Sequence, residues 1–296
     1  MKSFIITIAA FFMCGGSFIC AQSAPMHNAR MDNEQMQMQM ATADIGTLNY
    51  ALTLEHLEYA FYRDGLAKFN ATDFDEQVFE RLQEIRDHER DHVDTLTSVI
   101  ESLGGEPVPE CVYDFGYSDP QSFLMVARAL ENTGVSAYTG VIADINNPDL
   151  VTAGATIATV EARHASYLNE ITGFSPFPAA FDTPLNPKTV VSIAGGFITM
   201  CPYDIGITGF PKLTATVENG RYNVKFDSSL EQSRTKFYCA SLFSNMQKFT
   251  ALRQDYTCAV PRGASGDVYL FVTNSKTPLT LNDDKSVVAG PAVVNV

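Results

Sequence analysis

Acidic residues and histidines interrupt the apolar faces of four long segments, and this pattern constrains the fold more than any other feature of the sequence. Within each segment the apolar residues recur at spacings of three and four, which is typical of one face of an α-helix. The interrupting residues are Glu55 in the first segment, Glu89 and His92 in the second, Glu131 in the third, and Glu161 and His164 in the fourth. Because they share the apolar faces, all six side chains are predicted to point into one core.

The four segments fill residues 44–174, and their ends carry the boundary signals of long helices. The second segment stops at Gly104-Gly105 and the fourth stops at Gly173, where glycine commonly ends a helix. The third starts at Asp119-Pro120, a capping residue followed by a first-turn proline. Four amphipathic helices of roughly 25 residues each predict a four-helix bundle.

A core that holds four carboxylates needs compensating positive charge. Burying ionised carboxylates without partners costs several kcal/mol each, and no lysine or arginine lies on the four apolar faces. Two divalent metal ions would balance the four negative charges, with two neutral imidazoles completing the coordination. The order Glu, Glu-x-x-His, Glu, Glu-x-x-His is the ligand plan of dinuclear carboxylate sites in helical bundles. We therefore expect two bound metal ions, iron being favoured and manganese and zinc the alternatives. The predicted ligands are Glu55, Glu89, His92, Glu131, Glu161 and His164.

An internal repeat points to the same site. Glu55 precedes Tyr62 by seven residues, Glu131 precedes Tyr138 by seven, and a Glu-x-x-His pair follows 34 and 30 residues after the respective glutamates. One Glu-x-x-His pair is common on charged helix faces, whereas two that alternate with two Glu-x₆-Tyr helices form a specific pattern. The tyrosines are either core aromatic residues or hydrogen-bond donors that orient ligand carboxylates.

Three neighbouring residues are less favoured as metal ligands. Glu58 lies one turn after Glu55 and could replace or supplement it, but only Glu55 has a tyrosine seven residues further on. His88 is rotated by about 100° from Glu89 around the helix, which predicts a surface position or a place beside a ligand. His56 shares a face with polar residues and is predicted to be solvated.

The N-terminus predicts secretion. Lys2 is followed by a short apolar run over residues 4–12 and by small residues before Ala21, which are the parts of a secretory signal peptide. The apolar run is too short to span a bilayer, so we place cleavage after Ala21 and assign residues 1–21 to the signal peptide. The mature protein is expected to be extracellular or associated with the cell wall, without a membrane span. The sequon Asn70-Ala71-Thr72 lies in a polar stretch and is predicted to be an exposed glycosylation site.

Four cysteines remain after cleavage, and on an oxidising route they are expected to form two disulfides. Four cysteines permit three connectivities, and the sequence alone does not choose between them. Cys239 and Cys258 flank one strand-loop-strand unit, so we expect them to pair within the β-region. Cys111 and Cys201 would then join the end of the second helix to the start of that region.

Three further segments complete the chain. Residues 22–43 are rich in methionine and glutamine and are predicted to be disordered, with Cu(I) binding by the thioethers as the less favoured alternative. Residues 175–200 contain four prolines and are predicted to form a linker. Residues 201–296 alternate apolar and polar residues, carry the hairpin signal Asn219-Gly220, and are predicted to form a small all-β domain of sandwich type.

The first helix also carries a family resemblance. The stretch LNYALTLEHLEYAFY over residues 48–62, together with HERDH over residues 88–92, resembles a secreted ferritin-like family of fungi. That family includes stress-response and late sexual development proteins and is related to plant desiccation-related proteins. The resemblance covers residues 44–173 and extends less specifically to the β-region, at Phe237-Tyr-Cys-Ala and Cys258-Ala-Val-Pro. It implies a ferritin-like bundle with a metal site, and all six ligand positions match, but it implies no particular enzymatic activity.

Composition limits the partners. Twenty basic against 34 acidic residues give a net charge of −14, which argues against binding to nucleic acid or anionic membranes. No nucleotide-binding or serine-hydrolase motif is present. Two functions remain. The first is a secreted dinuclear metal protein of stress response or development, which as an enzyme would be a di-iron oxidase or peroxidase. The second is a non-enzymatic extracellular protein with a vestigial metal site, whose β-domain contacts a cell-wall or host surface.

Overall fold

The computed structural model describes residues 26–227, 229 and 236–296, so the predicted signal peptide lies outside the described residues. The chain divides into two units, Met1–Met38 and Gln39–Val296. Residues 26–38 of the first unit are described as the beginning of a helix. The second unit contains both the helical region and the β-region.

Four long helices come first, as the sequence predicts. Asp75, Asp119 and Asn147 cap three of them by accepting hydrogen bonds from backbone N–H groups of the first turn. Gly104 and Gly173 follow two of the helix ends with φ of 78° and 86°, a conformation that favours glycine. Among the described residues, no helix is both long and apolar enough to cross a membrane. The helices are α1 Met26–Lys68, α2 Glu76–Ser102, α3 Pro120–Val141, α4 Pro148–Ile171 and a shorter α5 Pro187–Ala194.

Helix α1 begins at Met26, whereas the sequence predicts disorder over residues 22–43. Methionine, glutamine and alanine are good helix formers, and residues 26–43 contain neither glycine nor proline. The side chains of Met36 and Met40 are exposed. Over residues 35–43 the polar composition therefore corresponds to a largely exposed helix surface.

Two apolar clusters fill the bundle, and the predicted ligands lie between them along the helices. The first cluster contains Phe61 and Phe123, whose rings stack with centroids 4.6 Å apart. The second contains Leu48 and Ile100. The residues that flank the ligands on either side are Leu52 and Leu57 on α1, Ile85 and Leu96 on α2, and Ile157 and Leu168 on α4.

A buried aspartate joins α1 to the connection between α3 and α4. Asp44 accepts hydrogen bonds from the backbone N–H groups of Asn146, at 2.7 Å, and Asn147, at 3.1 Å. The connection is short because a 3₁₀ turn over Ile142–Asp144 leads almost directly into α4. This contact fixes one end of the bundle.

The β-region is a sandwich, as predicted. Asn219 and Gly220, with φ of 50° and 70°, form the expected turn between two strands of the smaller sheet. One apolar cluster contains residues of both larger sheets, among them Tyr222 and Leu270. All strand pairs are antiparallel. A two-stranded sheet pairs β1 Val112–Tyr113 with β2 Ile198–Met200. The three-stranded sheet has the order β3 Leu213–Glu218, β4 Arg221–Phe226, β7 Thr257–Ala259. The four-stranded sheet has the order β6 Met246–Ala251, β5 Tyr238–Phe243, β8 Asp267–Thr273, β9 Val287–Asn295.

The predicted linker over residues 175–200 has structure of its own. It contains α5 and β2. Helix α5 forms here because Asn186 caps it and Pro187 occupies its first position. Leu185 is buried, and its N–H donates to the carbonyl of Ser136 on α3. A Cβ at Gly140 would lie 1.8 Å from the carbonyl oxygen of Leu185, so only glycine permits this approach. The segment packs on α3 in addition to connecting the two regions.

Both expected disulfides are present. Cys111–Cys201 joins the segment after α2 to the segment after β2, across the two-stranded sheet. Cys239–Cys258 joins β5 to β7 and therefore links the two sheets of the sandwich. The pairing predicted from the positions of the cysteines is confirmed.

A buried ion pair joins the bundle to the sandwich. Arg128 on α3 donates to Asp267 on β8 at 2.6 Å, and the two side chains are only 7% and 10% exposed. The guanidinium also lies 4.0 Å from the ring centroid of Phe174. Asn295 donates a second hydrogen bond to the same aspartate oxygen. The pair therefore fixes the outer face of α3 against the four-stranded sheet.

Removing one partner of this pair should destabilise the fold strongly. We expect Asp267→Ala to lower the free energy of unfolding by about 3 kcal/mol, because it leaves a buried guanidinium uncompensated. The double variant Arg128→Met/Asp267→Leu should lose much less. Urea denaturation measures both, with Glu84→Ala of the exposed pair Arg81–Glu84 as the control, expected to change stability by less than about 0.5 kcal/mol. Equal losses in Asp267→Ala and the control would contradict this role.

Candidate metal centre

The structure brings all six predicted ligands together in the core. The four glutamates are completely buried, and the side chains of His92 and His164 are 11% and 7% exposed. The helices place them there because each residue occupies an otherwise apolar face. The glutamates are Glu55 on α1, Glu89 on α2, Glu131 on α3 and Glu161 on α4.

The six side chains form two overlapping donor groups. In each group four donor atoms lie within 4.8 Å of one another, which is close enough to surround one metal ion. Glu89 and Glu161 belong to both groups. The first group adds Glu55 and His92, and the second adds Glu131 and His164. Two shared carboxylates between two four-donor groups are the arrangement of a carboxylate-bridged dinuclear site.

Both imidazoles direct the same nitrogen at the carboxylates. Nδ1 of His92 lies 3.2 Å from Oε2 of Glu55, 3.2 Å from Oε2 of Glu89 and 3.3 Å from Oε1 of Glu161. Nδ1 of His164 lies 3.1 Å from Oε1 of Glu89 and 3.2 Å from Oε2 of Glu131. In each donor group, Nδ1 is therefore the nitrogen available to a metal ion.

The repeated tyrosines bind glutamates of the opposite half. The hydroxyl of Tyr62 donates to Oε1 of Glu131 at 2.6 Å, and the hydroxyl of Tyr138 donates to Oε1 of Glu55. Both rings are buried. Of the two interpretations left by the sequence, the structure favours hydrogen-bond donors that orient ligand carboxylates.

A fifth carboxylate, Glu58, also lies in the core. It is 3% exposed, and its Oε2 has no hydrogen-bond partner among the described residues, nor does Oε2 of Glu161. Unpaired buried carboxylate oxygens are costly unless a cation neutralises them. Glu55, which the sequence favours over Glu58, belongs to one of the donor groups, whereas Glu58 belongs to neither. Glu58 shares the helix face of Glu55 because it follows three positions later, so its role as a supplementary ligand stays a prediction.

The space for Glu58 comes from a glycine at the equivalent position of the other half. Glu58 follows Glu55 by three residues, and Gly134 follows Glu131 by three. A Cβ at Gly134 would lie 2.8 Å from Oε2 of Glu161 and 3.0 Å from Oε1 of Glu58. The two halves of the repeat thus differ at one position, where one contributes a carboxylate and the other leaves room for it.

His88 contacts a predicted ligand, whereas His56 contacts the backbone outside the cluster. Nδ1 of His88 lies 3.0 Å from Nε2 of His164, and their rings stack with centroids 5.3 Å apart. His88 therefore lies beside a predicted ligand, one of the two positions expected for it. His56 was expected to be solvated, but it is only partly exposed and its Nε2 lies 3.0 Å from the carbonyl oxygen of Val108. The difference arises because the chain after α2 returns across α1 and covers this ring.

Burial shifts the ionisation of the cluster. It raises the pKa of Glu89 to about 7, with the charge of Glu131 adding to the shift and hydrogen bonds from the histidines opposing it. Burial also raises the pKa of Glu58 and of Glu161 well above the usual range. Burial alone would lower the pKa of His164, but the charges and hydrogen bonds of nearby glutamates outweigh it and raise that pKa to about 11. Without metal, these shifts favour the protonated forms of Glu58, Glu161 and His164, whereas hydrogen bonds and the charge of His92 lower the pKa of Glu55 despite its burial.

Comparison with known proteins finds a ferritin-like domain in the helical region. Residues 43–173 match the family model of the ferritin-like domain. This part of the chain is ferritin-like. Protein rds1 of Schizosaccharomyces pombe (strain 972 / ATCC 24843) is 26% identical over 164 residues, which cover 54% of this chain and 40% of that protein. The chain thus matches less than half the length of this relative. The family match thus covers the helical region of this chain.

Two solved structures are similar to the chain. A conserved hypothetical protein from Mycobacterium tuberculosis has a TM-score of 0.41 at 22% identity, covering 48% of this chain and 99% of that chain. A structure described as ferritin like, diiron-carboxylate proteins from Bacillus anthracis str. Ames has a TM-score of 0.41 at 20% identity, covering 45% and 97%.

The metal-free protein should lose stability as the pH rises. Glu89 has a folded-state pKa of about 7 against an ordinary value of 4.5, so its protonated form favours folding below pH 4.5 and this advantage disappears as the pH passes 7. We expect the free energy of unfolding of chelated protein to fall by roughly 2–3 kcal/mol between pH 5 and pH 8 from this group alone. The raised pKa of His164 acts in the same direction.

Urea denaturation at several pH values tests this expectation. Glu89→Gln should show a weaker pH dependence, whereas the control Glu84→Gln, an exposed residue of the same helix, should behave like the wild type. An unchanged pH dependence in Glu89→Gln would show that Glu89 does not titrate in this range.

Proposed function

We propose that the ferritin-like region binds two divalent metal ions, with iron favoured, through Glu55, Glu89, His92, Glu131, Glu161 and His164. The observation that carries the proposal is the pair of overlapping donor groups that share Glu89 and Glu161. Four buried carboxylates and two imidazoles match the charge of two divalent ions. Unpaired carboxylate oxygens inside the cluster fit cations better than they fit a metal-free core.

Glu58 completes the proposed donor set as a fifth carboxylate. With Glu58 included, five negative charges face the two metal positions, one more than two divalent ions neutralise. A metal that also reaches the +3 state would match the additional charge. Iron and manganese have that state, whereas zinc has no redox chemistry in proteins. The charge of the cluster thus supports iron or manganese over zinc.

Bound iron would supply one-electron chemistry toward oxygen or peroxide, the chemistry expected if this protein is an oxidoreductase. The chain's own residues would hold and orient the ligands. Tyr62 and Tyr138 fix the carboxylates of Glu131 and Glu55 by hydrogen bonds, and His88 supports the ring of His164. Complete burial of the glutamates would exclude bulk water.

We also propose that the protein is extracellular and acts in stress response or development. The two disulfides support an oxidising compartment. The N-terminal sequence supports a signal peptide. Asn70, the predicted glycosylation site, is exposed at a turn in which its side-chain oxygen accepts hydrogen bonds from Thr72. The role in stress response or development follows only from the resemblance to the fungal family.

The stoichiometry of metal binding tests the proposal. We expect about two metal ions per chain after anaerobic loading with Fe(II) or loading with Mn(II), measured by mass spectrometry of the metal content. His92→Ala/His164→Ala should lose most of this binding. His56→Ala removes a histidine that contacts the backbone outside the cluster and should bind normally. Full occupancy in the double variant would exclude the proposed site.

The role of Glu58 has a separate test. Glu58→Gln should weaken the binding of one ion about tenfold or more, and so should Gly134→Ala, whose Cβ would displace the carboxylates of Glu58 and Glu161. Gly154→Ala is the matched control, because its Cβ would meet only Ile145, at 4.0 Å. Equilibrium dialysis against Mn(II) measures the affinities. Wild-type affinity in Glu58→Gln would show that Glu58 is not a donor.

A further inference from the structure

An apolar cavity of about 260 Å³ adjoins the metal centre. It lies among α1, α2, the end of α3 and the beginning of α4, and most of its wall consists of leucine, isoleucine, valine and alanine side chains. His92 and Tyr138 belong both to this wall and to the centre. The cavity therefore connects an aliphatic space to the proposed metal ligands.

The polar groups of the wall are engaged or lie at its rim. The hydroxyls of Thr47 and Thr156 donate to backbone carbonyls of their own helices, and the hydroxyl of Tyr138 donates to Glu55. The side chain of Asp91 is 71% exposed, which places it at the edge next to solvent. A wall of this kind favours a hydrocarbon over a polar or charged molecule.

The cavity is also the side on which the centre is least covered. The four ligand glutamates are completely buried, and the ring of His164 is stacked against His88. The side chain of His92 is 11% exposed, more than any other predicted ligand, and it lines the cavity. A molecule in the cavity would therefore lie against His92.

We propose that this cavity binds a small molecule with an aliphatic chain and holds one end of it beside His92 and Tyr138. The cavity has about 1.7 times the 150 Å³ of an engineered protein cavity that takes up benzene, so a chain of roughly eight carbons fits. Binding itself requires only the fold. The meaning of the bound molecule as a substrate rests on the proposed metal centre.

Gly154 offers a way to fill the cavity without damaging the helix. It lies on α4 in the cavity wall, and a Cβ there would approach only Ile145, at 4.0 Å. Gly154→Leu would place its side chain in the cavity and also improve helix propensity. Gly46 on α1 is the matched control, because it is exposed and a Cβ there would meet nothing within 4 Å.

Calorimetric titration of the full, metal-free protein with 1-octanol tests the binding. We expect saturable binding with a negative heat-capacity change, at least tenfold weaker in Gly154→Leu and unchanged in Gly46→Leu. Thermal unfolding of both variants establishes that they fold. Absence of saturable binding, or equal binding in folded Gly154→Leu, would overturn the proposal.

Mn(II)-loaded protein tests the position of the bound molecule and separates the two proposals. In wild type loaded with Mn(II), the NMR signals of bound octanol should broaden strongly, because the paramagnetic ions would lie next to His92. If Mn(II) binds and octanol does not broaden, the placement beside His92 is wrong. If octanol binds, Gly154→Leu blocks it and Mn(II) does not bind, the cavity site stands and the proposed metal function fails.

Discussion

Repulsion among buried carboxylates is the constraint on which the rest of this structure depends. Four completely buried glutamates, with Glu58 beside them, cannot all be ionised in an apolar core without positive charge nearby. The imidazoles of His92 and His164 supply part of that charge, through contacts of 3.1–3.3 Å. Such contacts require four helices held in register, which the caps, the two apolar clusters and the connection at Asp44 provide. The bundle is therefore organised around a charge requirement as well as around its hydrophobic core.

Each half of the internal repeat completes the other. Tyr62 of the first half binds the glutamate of the second, and Tyr138 of the second binds the glutamate of the first. Neither half has a tyrosine that orients its own glutamate. The geometry of the centre therefore depends on the packing of the two halves against each other. Of the corresponding pairs Glu55 and Glu131, Glu58 and Gly134, and Tyr62 and Tyr138, only Glu58 and Gly134 differ in residue type. That difference would give the two proposed metal positions unequal surroundings.

The sequence predicts the clustering of these side chains because an acid on an apolar helix face is unusual and requires compensating charge. Spacing along one helix was enough to predict that these six side chains and both tyrosines meet in one cluster. It could not show which glutamate each tyrosine binds, nor that Gly134 leaves room for Glu58, because both depend on distances between helices. The helix over residues 26–43 and α5 were missed for a different reason. The polar composition of residues 26–43 favoured disorder, and the prolines of residues 175–200 favoured a linker. Asn186-Pro187 is nevertheless a typical start of a helix.

Helix α3 shows why the β-region matters to the centre. One face of α3 carries Glu131, Gly134 and Tyr138 into the cluster. Other sides of α3 are held by the ion pair of Arg128 with β8, by the hydroxyl contact of Ser136 with Tyr269 and by the close approach of Leu185 to Gly140. Rotation of α3 by even a few degrees would move a ligand and a tyrosine together, and these outer contacts oppose it. The sandwich therefore helps to hold α3, the helix that carries Glu131, Gly134 and Tyr138, in its orientation.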